Sequence, residues 1–125
     1  MGATPKKLKR WKQREPKFQR HTIHLREGFI IVVEYWSKQG KIIRFATPLI
    51  RLHDDLGSEE ICRYDTAHDF AHLDILDHKR KVINKVVMTG SPGYKKAITY
   101  AINDLKTNYQ KYWQDYCARQ KKVES

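Results

Sequence analysis

A chain of 125 residues fits one domain with a core of modest size. Its 25 lysines and arginines against 14 acidic residues give a net charge of +11. No apolar run approaches the length of a membrane span or of a signal-peptide core, so a soluble, cytoplasmic protein with no membrane partner is expected. The two cysteines, Cys62 and Cys117, lack metal-ligand spacing and read as buried thiols in a reducing compartment.

Residues 1–20 form a basic N-terminal arm. Lys6, Lys7, Lys9, Arg10, Lys12, Arg14, Lys17 and Arg20 stand there against the single Glu15, so this arm carries +7 of the charge. Such a segment attracts a polyanion through phosphate contacts and counterion release. Trp11 and Phe18 add rings able to stack on bases. RNA or DNA is therefore the expected partner, and a merely solubilising extension is the alternative. Residues 54–77 do the opposite, with eight acids and Arg63 as the sole lysine or arginine.

A single α+β domain is expected over residues 21–118. FIIVVEYW, the turn SKQG and KIIRFATPLIRL read as a hairpin. Phe29 to Val33 are apolar at successive positions, which suits a central strand covered on both faces. Pro48 cannot donate to a ladder and places the second strand at an edge. After the loop HDDLGS, EEICRYD and HLDILD form a second hairpin, and KVINKVVMT follows the short turn HKR. Ser91 is suited to cap a helix whose first position is Pro92. Ala97, Ile98, Ala101, Ile102, Leu105, Tyr109, Tyr112, Trp113 and Tyr116 then recur at helical spacing and mark a core-facing stripe. Residues 119–125 read as a charged tail. The sum is an antiparallel sheet of about five strands with one long C-terminal helix packed on one face. No glycine-rich phosphate loop or nucleophile elbow occurs, which disfavours nucleotide-dependent transferases and serine hydrolases.

The segment RYDTAHDFAHLDILDH concentrates three histidines, four aspartates and an arginine in 16 residues. Pairing EEICRYD with HLDILD across Thr66 to Ala71 sets Asp65 opposite His72, Arg63 opposite Asp74 and Ile61 opposite Leu76. Strand alternation then puts Arg63, Asp65, His72 and Asp74 on one face, with Cys62, Tyr64, Leu73 and Ile75 on the other. In the structural reading, the charged pairs fix register and keep one sheet face wet. In the catalytic reading, Asp65 orients His72 as general acid or base, Arg63 holds a phosphate, and His68 is the second proton carrier. Such equipment suits metal-independent RNA cleavage, with no cofactor. Asp65, His68, His72 and Asp74 also offer nitrogen and oxygen donors to zinc or manganese. The absence of an HExxH or paired-cysteine pattern speaks against that metal site.

Residues 59 to 116 resemble small uncharacterised archaeal and bacterial proteins in which an Arg-Tyr-Asp-x-x-His segment precedes a second His and an Asp. They are also distantly similar to the TumE family of toxin–antitoxin systems, which carries a Tyr-Asp element followed by histidines. The positions that match are Arg63, Tyr64, Asp65, His68, His72 and Asp74. The resemblance implies a toxin-like protein that acts on RNA as an endoribonuclease and is neutralised by a small antitoxin-like partner. The basic arm departs from that pattern and leaves room for a non-catalytic nucleic-acid or ribonucleoprotein binding module.

Overall fold

A computed structural model describes residues 15–55, 57–67, 70–88 and 93–124, with side chains up to Gln120. Among the described residues six strands run in chain order: β1 Lys17–His24, β2 Phe29–Lys38, β3 Lys41–His53, β4 Gly57–Asp65, β5 His72–Leu76 and β6 Val82–Val87. They form one antiparallel sheet in which every strand pairs with its sequence neighbours, and the helix α1, Tyr94–Glu124, follows. The α+β architecture expected from the sequence is present, with six strands where five were expected.

The extra strand comes from the arm. Lys17–His24 pairs with β2 from Lys17↔Ser37 to His24↔Ile30, so residues 17–20 belong to the sheet. Nearly every β1 side chain is exposed, so its sequence carries no burial signal and pairing alone defines it. The β2–β3 hairpin turns at Gln39 and Gly40, with φ of 52° and 76°. Two successive positive φ angles are what a two-residue hairpin turn requires, and glycine adopts the second without strain.

Pro48 does not mark an edge. It is buried in β3 between β2 and β4, opposite Arg63. On the β2 side the Cα partners pass from Ile31↔Leu49 to Glu34↔Ala46, so Pro48, which has no N–H to donate, falls in a gap of the ladder. The core lies between the sheet and α1, which packs chiefly on β3, β4 and β2. Phe29, Ile31, Phe45, Leu49, Ile61 and Tyr64 meet Ala97, Ala101, Leu105 and Tyr116 there.

The helical stripe is a core face, as its spacing predicts. Phe29 packs against Tyr109 and Trp113, with ring centroids 5.1 and 5.7 Å away. The helix runs past Tyr116 and includes most of the segment read as a tail. From Tyr94 to Glu124 no glycine or proline interrupts it, and Arg119 anchors its end by donating to the Leu76 carbonyl at 3.3 Å. Ser91 and Pro92 lie outside the described residues.

Candidate functional site

The β4–β5 register is the one the sequence predicts. Asp65 faces His72, Tyr64 faces Leu73, Arg63 faces Asp74 and Cys62 faces Ile75. Ile75 and Cys62 thereby join the core, and burial pushes the Cys62 thiol far up, leaving it protonated and inert. The other face carries the titratable cluster, and it is not wet. Asp65 is 9% exposed, Asp74 4% and His72 0%. Ala46 and Pro48 flank the cluster from β3, Val87 and Lys85 flank it from β6, and the Phe70 ring stands edge-on to the imidazole at 5.9 Å. Those neighbours shield charges that strand alternation alone would leave in solvent.

The ring of His72 is oriented by the backbone. Its Nδ1 lies 3.1 Å from the Phe70 carbonyl, which can only accept, so Nδ1 carries the hydrogen. Nε2 points into the cluster, 2.7 Å from Asp65 Oδ1 and 3.3 Å from Asp74 Oδ2. Both distances are short, yet Nε2 makes no hydrogen bond, because neither oxygen lies along its in-plane N–H direction. Asp65 is held from its other side: Arg63 Nε donates to Oδ2 at 2.9 Å, and the Ala67 amide donates to Oδ1 at 3.2 Å. Arg63 also reaches Glu60 Oε1 at 3.2 Å and keeps 33% of its side chain exposed. Lys85 Nζ pairs with Asp74 Oδ1 at 3.7 Å, beyond hydrogen-bond reach, and that oxygen is buried without a hydrogen-bond partner.

The structure thus brings together Arg63, Asp65, His72 and Asp74, while His68 lies outside the described residues. One donor atom from each of Asp65, His72 and Asp74 lies within 4.8 Å of the other two, a set of nitrogen and oxygen donors able to hold a cation. Lys85 and Phe70 escaped the sequence reading. The β5–β6 register supplies Lys85, and reading KVINKVVMT against HLDILD would have found it.

Of the arm residues proposed for nucleic-acid contact, Lys6, Lys7, Lys9, Arg10, Trp11, Lys12 and Arg14 lie outside the described residues. Lys17 and Arg20 are exposed on β1, and Arg20 stands 3.8 Å from Glu34. A second group was missed entirely. Phe18 pairs with Trp36 and Trp36 with Arg44, a row crossing three strands on the face turned away from α1. The two rings are 4.8 Å apart and the Arg44 guanidinium lies 4.1 Å over the indole. The neighbouring row runs Arg20, Glu34, Ala46, Asp65, His72 and Val87, so it joins this patch to the buried cluster across the whole sheet.

A six-stranded antiparallel sheet with one long helix on one face and a buried carboxylate–imidazole cluster on the other defines a small α+β protein. The chain belongs to the family described as a domain of unknown function, DUF7718, whose model matches residues 9–122. That span takes in the arm from Lys9 onward, the cluster and nearly all of α1. Neither the curated proteins nor the solved structures give a match. No helix of the described residues is long and apolar enough to cross a membrane.

Proposed function

We propose that the protein binds single-stranded nucleic acid on the sheet face turned away from α1. The observation that carries this reading is the row Phe18, Trp36, Arg44, an aromatic and cationic strip on a chain whose sequence sets six bases before Glu15. Phe18 is 48% exposed, so its ring is available to a base. Aromatic faces on a sheet stack successive bases with little sequence preference, and the neighbouring lysines and arginines follow the phosphates. The resemblance to TumE-type toxins favours RNA over DNA and a small neutralising partner.

Metal-independent cleavage asks more of the cluster. The general acid or base must come within about 3 Å of a ribose hydroxyl, whereas His72 is 0% exposed with Nδ1 committed to a backbone carbonyl. Binding without turnover is therefore the reading this geometry supports better. Arg63, partly exposed, is the member of the set best placed to meet a phosphate.

Anisotropy with a labelled single-stranded RNA and the matching DNA tests the proposal. Loss of one stacking ring costs about 1–3 kcal/mol, so Trp36→Ala should weaken binding by roughly five-fold to more than a hundred-fold. Unchanged affinity for both strands would remove the sheet face as the binding surface. RNA cleaved without added metal, and left intact by Arg63→Ala, would restore the endoribonuclease reading.

A further inference from the structure

We infer that Asp65, His72 and Asp74 form a binding site for a divalent transition-metal cation. The inference stands whether or not the open sheet face binds nucleic acid. Because Nδ1 is held as a donor to the Phe70 carbonyl, Nε2 of the neutral ring presents a lone pair to the cluster. A backbone carbonyl on one ring nitrogen is the usual arrangement for a histidine that ligates a metal through the other.

The carboxylates complete the set. With Nε2 as a lone pair, Asp65 Oδ1 at 2.7 Å and Asp74 Oδ2 at 3.3 Å are three mutually repelling electron-rich atoms. With Nε2 protonated, its N–H still points at neither oxygen. A cation between the three atoms satisfies all of them at once. His72 is fully buried, and its Nε2, the atom facing the two carboxylates, has no hydrogen-bond partner, a condition native interiors rarely tolerate.

The surroundings agree. Arg63 and the Ala67 amide hold Asp65 in place, Arg63 on Oδ2 and Ala67 on Oδ1. Asp65 and His72 face each other across the ladder, and Asp74 lies two residues along β5, so backbone pairing fixes all three ligands before any cation arrives. Asp65, Asp74 and Glu60 outnumber Arg63 and Lys85 by one charge when His72 is neutral, which favours a cation. One imidazole nitrogen with two carboxylate oxygens suits zinc, manganese or ferrous iron, whereas calcium and magnesium prefer oxygen alone.

The test uses the tag-free full chain, stripped with chelator, dialysed, and titrated with zinc, manganese or cobalt(II), with magnesium and calcium in parallel. One equivalent of transition metal should bind and raise Tm by roughly 5–10 °C at a hundred-fold excess over Kd. Cobalt(II) should give a visible absorption band that reports nitrogen and oxygen ligation. Asp65→Asn and Asp74→Asn, nearly isosteric, should each weaken uptake by about a hundred-fold or more while far-UV circular dichroism stays native. No uptake by the wild type would overturn the site. So would binding of magnesium or calcium in place of the transition metals, or uptake unchanged in both asparagine variants.

Discussion

Asp104, on the core side of α1, accepts hydrogen bonds at one oxygen from two phenols, Tyr64 at 2.7 Å and Tyr112, while Asn108 donates to the other oxygen at 2.7 Å. Burial first, then the bond to Asp104, push the Tyr64 and Tyr112 hydroxyls well above the ordinary tyrosine range. Tyr116, buried and bonded to Glu59 at 3.1 Å, is pushed up to about 12. The native state therefore holds these protons more tightly than the unfolded chain, where tyrosine ionises near pH ~10. The stability they contribute is complete below that pH. It declines as pH rises beyond it, and Tyr116's share is lost by about pH 12. Urea unfolding followed from about pH 8 to about pH 11, from below to above the ordinary tyrosine value, should show a falling midpoint. The fall should be shallower in a Tyr64→Phe, Tyr112→Phe double variant; an identical slope would mean these phenols ionise as freely folded as unfolded.

At the scale of the element, the aromatic end of α1 is spent on its own sheet. Trp113 stacks on Tyr116 at 5.6 Å, meets Phe29 edge-on and lies 5.7 Å from the Arg51 guanidinium. Trp113→Ala should then cost about 2–3 kcal/mol by denaturant titration and leave size-exclusion behaviour unchanged, since the ring fills a partly buried position. A changed assembly state with intact stability would mark it as a partner surface instead. The same contrast governs what the sequence disclosed. The β4–β5 register was legible because Arg63, Asp65, His72 and Asp74 alternate with Cys62, Tyr64, Leu73 and Ile75, and one slip would bury charge against the helix. The strand β1 was not, because seven of its eight residues are exposed and only the pairing with β2 reveals it. Pro48 misled for a similar reason, since a ladder gap depends on the opposing strand. The burial of the cluster depends on β3 and β6, which lie outside the hairpin that the pattern described, and on Phe70, whose place in its loop strand alternation does not set.

Across the whole molecule, charge and surface divide the labour of binding. Each phosphate contact contributes about 0.7 to the salt slope on single strands, so removing residues 1–14, with six bases, should flatten that slope by up to about 4. The cut stops short of Lys17 so that β1 survives. Affinity measured from low to high salt checks this, and an unaltered slope would assign the electrostatics to the folded sheet. The sheet itself is unevenly supported. The helix rests chiefly on β2, β3 and β4, whereas β6 is exposed along its full length. Two of the three cluster residues, His72 and Asp74, ride on β5 beside that loose margin, while Asp65 belongs to the braced β4. Together with β1 at the opposite edge, β6 is thus the part of the sheet whose amides should exchange with solvent first. Whatever ties Asp65 to His72 and Asp74 acts as a latch on the β5–β6 flap, and its grip can be timed in deuterium at residues 82–87.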